Sequence, residues 1–324
     1  AVGCNNGSLD MDNVFITNNQ SHGIYPCGEN SILDSVIIDN NGGTGIVQLH
    51  NSELRNSTIS NNKGGGLDDP RDIIIENTII EGNSRYDGGN GAGIYAINGE
   101  SNYTLSNVII RNNSTPNGEG GGIYFSSING LLDLENVTIT NNHANKGGGI
   151  YLCCSFPNNA SSGDDVSFSA LSKCNIYENY ANTGTDIWYY GNNELNVVVD
   201  TFTVATPHDY YAYPIENITF DITNHSFDPI IGDIYVDPTG SNDNSGTSPA
   251  SPFKNIYYGL LSIFANSSNL GTIHLADDTY SPSTNGEYFP LGGKQYVSIV
   301  GTSQEGTILN GDSLTSIFYF EDID

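Results

Sequence analysis

Asn13-Val14-Phe15-Ile16-Thr17-Asn18-Asn19 returns as Ser35-Val36-Ile37-Ile38-Asp39-Asn40-Asn41 and again as Ser57-Thr58-Ile59-Ser60-Asn61-Asn62. A fourth copy reads Asn77-Thr78-Ile79-Ile80-Glu81-Gly82-Asn83, and later ones occupy 107–113, 136–142 and 174–179. From Asn18 through Asn40 to Asn61 the steps are 22 and 21 residues; later steps are longer, as when loops grow from a constant coil. A second motif follows the first, as Gly23-Ile24-Tyr25, Gly45-Ile46-Val47, Gly93-Ile94-Tyr95, Gly122-Ile123-Tyr124 and Gly149-Ile150-Tyr151. Both alternate at period two, the signature of short strands, and the repeat is too short for a pair of helices. Leucine-rich repeats need a different spacing of Leu around Asn. The reading is all-β: a parallel solenoid with coils of about 22 residues and one short helix in its C-terminal part.

Stacked coils lie about 4.8 Å apart, so inward residues become columns. One column is expected to read Met11, Leu33, Leu54, Ile75, Leu105, Leu134, Leu171. A second reads Ile16, Ile38, Ile59, Ile80, Ile110, Ile139, Ile176, and a third Ile24, Ile46, Leu67, Ile94, Ile123, Ile150, Ile187. At the turn, Asn18, Asn40, Asn61, Asn112 and Asn141 are expected to form an amide ladder, because Asn tolerates left-handed backbone and stacked amides satisfy open turn groups.

Residues 1–190, with Gly120-Gly121-Gly122-Ile123-Tyr124 and Gly147-Gly148-Gly149-Ile150-Tyr151 the clearest marks, resemble the right-handed parallel β-helix proteins of the pectin-lyase-like superfamily, especially bacterial surface proteins. The likeness speaks to architecture and says little about activity. Residues 191–232 lose the register and read as irregular final coils or a connecting flap. Residues 233–324 resemble the N-terminal opening segment of extracellular β-helices: a strand at Ile234-Tyr235-Val236, a Gly/Pro loop, an amphipathic stretch Ile256 to Ala265, and new strands at 272–276, 297–301 and 307–311.

Lys and Arg total 9 against 37 Asp and Glu, a formal charge of −28. Such a surface repels nucleic acid and anionic lipid and suits a solvated extracellular protein. No apolar stretch approaches the length of a membrane span, and Ala1-Val2-Gly3-Cys4 reads as mature or internal sequence. Sequons at Asn56, Asn102, Asn113, Asn136 and Asn217 are glycosylation candidates. Of the five cysteines, Cys4 and Cys27 fall at equivalent places on consecutive coils, where a disulfide would fit, and Cys174 could pair with Cys153 or Cys154.

Outward columns hold the candidates for chemistry. Asp12, Asp34, Arg55, Glu76, Ser106 and Glu135 form one, where Asp12 and Asp34 could share a cation or raise a pKa. Thr17, Asp39, Ser60, Glu81 and Arg111 form another. Asp39 and Glu81, about two coils or 9.6 Å apart, come near the roughly 6.5–9.5 Å of inverting glycosidase carboxylates. The superfamily's hydrolases pair Asp residues with a Gly-His-Gly motif, and this chain has only Ser21-His22-Gly23. A lyase would need a base plus cationic help at the substrate, and only Arg111 is at hand. Asp237, Asn242, Asp243 and Asn244 offer oxygen ligands for Ca²⁺ in a Gly-rich loop, without EF-hand spacing. Phe15, Ile37, Thr58, Ile79, Ile109 and Thr138 make an outward apolar stripe, expected to be covered by the strands of 194–232. Tyr95, Tyr124, Tyr151 and Trp188 could stack on a glycan or simply pack under loops.

The expected function is therefore an extracellular or cell-surface structural module. It would assemble head to tail into a filament or form part of a longer adhesin-like protein, without catalysis, nucleic-acid partner or membrane insertion. The alternatives are a carbohydrate-active enzyme, a hydrolase before a lyase, and a glycan-binding adhesin.

Overall fold

A computed structural model describes residues 7–25, 29–97, 100–127, 130–154, 166–191 and 193–320. The chain divides into two compact units, 1–226 and 227–324. The first carries the repeat, and its long sheets are parallel throughout.

The coils of the first unit build three sheets. The first sheet stacks Asp10–Asp12, Ile32–Asp34, His50–Arg55, Arg71–Glu76, Tyr103–Ser106, Leu132–Glu135 and Val166–Phe168. The second begins Phe15–Thr17, Ile37–Asp39, Thr58–Ser60, Ile79–Glu81, Ile109–Arg111, Thr138–Thr140 and Cys174–Tyr177. The third runs from Ile46–Val47 through Leu67–Asp68, Ile94–Ala96, Ile123–Ser127, Ile150–Cys154 and Ile187–Tyr189 to Ala212–Tyr213.

Two left-handed corners shape each of the first six coils, and the second of them recurs in the seventh. Asn13, Ser35, Asn56, Asn77, Asn107 and Asn136, with φ between 49° and 57°, turn the chain from the first sheet to the second. Asn18, Asn40, Asn61, Gly82, Asn112, Asn141 and Glu178 make the next corner, with φ between 53° and 65°. Asn and Gly adopt this conformation at least cost, so their recurrence fixes where strands stop.

Inside, register confirms the second and third aliphatic columns: Ile16↔Ile38, Ile59↔Ile80 and Ile110↔Ile139 in one, Ile94↔Ile123 and Ile150↔Ile187 in the other. Their members are almost all fully buried, each worth about 1.5–3 kcal/mol. The first column needs one correction. Leu134 pairs with Phe168, and Leu171 is 98% exposed, because the strand ends before it. The sequence distance between ranks is 22, 21 and 21 residues at first, then 30, 29 and 37 as loops lengthen between constant strands.

The glycine of Gly-Ile-Tyr is there for close approach. A Cβ on Gly122 would stand 2.6 Å from the Gly149 carbonyl oxygen and 3.0 Å from Ile139 Cγ2. Backbone on one side and a packed core methyl on the other leave no direction to yield. Gly122→Val is expected to destabilise the body by about 3 kcal/mol or more; a chemical denaturation midpoint equal to wild type would contradict this.

Of the two alternatives for 191–232, final coils or a flap, the strands of 195–225 take the first. Leu195–Phe202 and Ile218–His225 are long strands that continue the second sheet, so its order has nine members. Leu195, Val197, Val199 and Phe202 point into the core and are fully buried. The apolar spine thus extends past the point where the motif fades.

The second unit holds Ile234–Val236, Gly271–Leu275 and Val297–Gly301 in one parallel sheet, with the pairs Asp278–Tyr280/Thr307–Leu309 and Leu291–Gly292/Phe318–Tyr319. Ile256–Ser262 is a helix whose Ile256, Leu260 and Leu261 are buried. It is shorter than the expected 256–265, because Ile263–Phe264 is already a strand. No helix among the described residues is long and apolar enough to cross a membrane.

Candidate functional site

The buried amide ladder lies one residue beyond the expected one. Asn18, Asn40, Asn61, Asn112 and Asn141 supply the left-handed corner and remain exposed or half-exposed. Their followers turn inward. Asn41 donates from its backbone N and its Nδ2 to Asn62 Oδ1, at 3.1 and 2.9 Å. Asn62 does the same to Asn83, Asn83 to Asn113, Asn113 to Asn142 and Asn142 to Asn179, all at 3.0 Å. Each Nδ2 from Asn62 onward also reaches a strand carbonyl, for example Asn113 to Ile80 O at 2.9 Å. The sequence did carry the distinguishing signal. Gly82 and Glu178 break the expected column, whereas Asn83 and Asn179 keep this one unbroken.

The ladder ends on a carboxylate. Asn179 donates from N and Nδ2 to Asp186 Oδ1 at 3.2 and 3.0 Å. Asp186 stands at the third glycine of the Gly-Gly-Gly-Ile-Tyr motif, and the sequence reading passed over it.

On the outside of the second sheet, Asp39 and Glu81 occupy the same column with Ser60 between them. Each is engaged. Asp39 Oδ1 accepts hydrogen bonds from Ser60 Oγ and Asn61 Nδ2, both at 2.8 Å. Glu81 pairs with Arg111 Nε at 2.7 Å. The two carboxylates are tied to different neighbours. On the first sheet, Arg55 pairs with Glu53 and stands 3.8 Å from Glu76. Hydrogen bonds from Asn56 and Ser35 hold the Asp34 carboxyl below its usual range. This is opposite to the increase expected from a neighbouring Asp12, because those donors favour the charged form.

The apolar stripe is uncovered where it was expected to be covered. Phe15 is 61% and Ile37 45% exposed, and the strands at 195–202 and 218–225 extend the sheet edgewise instead of lying over its face.

The third sheet carries an aromatic column. Tyr95 and Tyr124 have ring centroids 5.3 Å apart; Tyr124 and Tyr151 lie 5.1 Å apart and nearly parallel; Tyr151 and Trp188 stack at 4.4 Å. Arg85 sits over the open side of Tyr95 at 5.2 Å and pairs with Asp68 at 2.7 Å, while Lys146 approaches Trp188 at 5.9 Å. Burial pushes the hydroxyls of Tyr124 and Tyr151 well above the usual phenol range, and the Glu119 carboxylate adds to it. Tyr124 and Tyr151 have ring faces stacked on their neighbours, so these faces hold rank to rank.

The expected calcium loop binds itself. Asp237 Oδ1 accepts from Thr239 N and Oγ1, Asn242 Oδ1 from the backbone of Lys254 and Asn255, Asn244 Nδ2 donates to Pro252 O, and Asp243 takes a bond from Ser241 Oγ. The four are turned to different partners, and among the described residues no three His, Cys, Asp or Glu side chains gather as metal ligands would. Cys174 is a free, fully buried thiol on the second sheet, pushed up to about 11 by desolvation. It is not bridged to Cys153, which lies on the third sheet. Cys4, Cys27 and the side chain of Cys154 lie outside the described residues. Among the sequons, Asn56, Asn102 and Asn136 are exposed and Asn217 half-buried, but Asn113 is 0% exposed within the ladder and is withdrawn as a glycan acceptor.

A model of the right-handed β-helix region matches residues 1–166, half of the chain. The chain belongs to the right-handed β-helix family. Neither a curated protein nor a solved structure matches it significantly.

Proposed function

We propose that this β-helix is an exported structural scaffold displayed at a cell surface. One observation carries the reading: side chains inside and outside alike bond rank to rank along the axis. The aliphatic columns, the amide ladder, the Arg111–Glu81 pair and the Tyr95–Trp188 stack all hold coil to coil. A catalytic cleft leaves a carboxylate pair facing a shared empty space, and here Asp39 and Glu81 are held by different neighbours. The charge of −28 and the exposed sequons at Asn56, Asn102 and Asn136 favour an extracellular setting. Self-association through stacked coils suits such a scaffold.

Incubating the intact protein with a panel of neutral and acidic polysaccharides should release no reducing ends and no unsaturated uronates. Turnover that disappears in both Asp39→Ala and Glu81→Ala would replace the scaffold with a hydrolase. Sedimentation velocity across a wide concentration range tests self-association: mass is expected to grow with concentration, and a constant monomer would remove that part.

A further inference from the structure

We infer that Asp186 makes the end of the asparagine ladder a protonation-dependent latch, closed when its carboxyl is neutral and loosened when it ionises. The geometry is specific. Six successive asparagines, from Asn41 to Asn179, pass a double hydrogen bond along the axis, and the last of the six acceptors is a carboxyl oxygen. An amide at that place would bring two donors of its own. A carboxyl brings a charge into a position that is 0% exposed. Oδ1 takes both bonds from Asn179, while Oδ2 is buried with no hydrogen bond of ordinary geometry, only the Thr203 hydroxyl nearby to ease its charge. The hydroxyl of the adjacent Thr185 is likewise buried without a bond.

The groups facing Asp186 do not stabilise the anion as a cation would. Glu178, at the corner after Cys174–Tyr177, disfavours a second negative charge, and Asn179 and Thr203 supply neutral hydrogen bonds. Tyr210 and Tyr211, which precede Ala212–Tyr213, have their own ionisation raised by it, behind the larger effect of burial. Desolvation, the largest influence, pushes the Asp186 carboxyl up to about 7.

The latch is placed where it can act. Backbone N–H groups of Asp186 and Ile187 both donate to Tyr211 O, at 2.9 and 3.1 Å, and Thr185 N donates to Tyr210 O at 2.8 Å. Thr203, beside the carboxyl, follows Leu195–Phe202 and accepts from Glu178 N at 2.7 Å. Ile150 N also donates to Asp186 O at 2.8 Å and Gly149 N to Thr185 O at 3.1 Å, so strain at Asp186 falls first on the ranks on either side of it and least on the distant ranks at the start of the body.

The sign follows from proton binding. An acid whose folded pKa lies above its unfolded value binds its proton more tightly when folded. The stabilisation is complete below the ordinary value near 3.8, is lost as pH rises towards about 7, and changes no further above that.

The test is hydrogen exchange on the full chain, wild type against Asp186→Asn, between pH 5 and 8.5 and corrected for intrinsic rates. Protection across 187–213 should fall by up to about tenfold per pH unit towards neutrality in the wild type and then level off. It should stay flat in Asp186→Asn, where the ladder simply gains another amide. Peptides across 32–60 serve as the internal reference and should not change in either protein. Flat wild-type protection, or an equal fall in the variant, overturns the latch. Should the variant fail to fold, infrared spectroscopy of wild type with labelled aspartate decides: a protonated carboxyl band that titrates near neutrality supports it, and its absence at pH 5.5 overturns it.

Discussion

Asn113→Leu is expected to lower the stability of the solenoid body by roughly 3–6 kcal/mol, although leucine matches asparagine in shape and suits an apolar interior. The substitution removes one side chain and strands the partners of several bonds. Asn83 loses the Oδ1 that accepts both its backbone N and its Nδ2, and Ile80 O loses the Asn113 Nδ2 at 2.9 Å. Each buried group left without a partner costs about 1–3 kcal/mol, and no water reaches a residue that is 0% exposed. The chain's single tryptophan, Trp188, belongs to the same body, so its fluorescence reports the denaturation midpoint. The control is the neighbouring residue. Asn112→Gly keeps a left-handed corner with φ near 56° at an exposed site, and should cost less than about 1 kcal/mol. Equal losses for the two substitutions would mean that the corner, and not the buried amide, carries the ladder's contribution.

That contrast also marks how far the sequence could be read. The period, the strand pairings and the aliphatic columns were legible because strands alternate at period two, and a repeated Ile can face only one way. The doublet Asn-Asn was ambiguous, since both members recur and both suit turns. Exposure separates them: the left-handed corner turns the first outward and the second returns to the inward phase. Copies that violate the doublet, Glu81-Gly82-Asn83 and Tyr177-Glu178-Asn179, contain the answer, because only the inward position must be an amide. Leu171 was misplaced for a related reason: Phe168 takes the column, because Val166–Phe168 is the strand that pairs with Leu132–Leu134. The strands at 195–202 and 218–225 were recognisable as strands, but the sequence left open whether they were final coils or a flap. They carry no Asn-Asn corner, and their membership rests on tertiary pairing such as Val197↔Phe220. Nor does composition reveal which outward acids are engaged. Asp39 and Glu81 look like a catalytic pair until Ser60, Asn61 and Arg111 are seen to hold them.

In the second unit, the helix Ile256–Ser262 should be the element most sensitive to single substitutions and to pH. At two turns it is too short to stand alone, and Asn255 at its N-cap makes no side-chain capping bond. One stretch of chain closes both ends instead. Glu287 accepts from Ile256 N at 2.8 Å and Tyr257 N at 2.9 Å, and Lys294 Nζ donates to Leu260 O at 2.9 Å and Ile263 O at 2.6 Å. An acid at the start and a base at the finish match the helix dipole. Glu287→Ala strands two buried N–H groups and should cost about 3 kcal/mol, read as lost hydrogen-exchange protection across 256–264. Burial works against both charges, pushing Glu287 up to about 7 and Lys294 down to about 7. For Glu287 the folded value exceeds the ordinary 4.5, so stability is greatest at low pH and falls as pH rises to about 7. For Lys294 it lies below the ordinary 10.5, so stability is greatest at high pH and falls as pH drops to about 7. The two slopes meet: protection of the helix should pass through a minimum near neutral pH. Glu287→Gln should flatten the acid limb alone and Lys294→Met the alkaline limb alone, while a single monotonic curve in the wild type would show that the two ends are not clamped by these side chains.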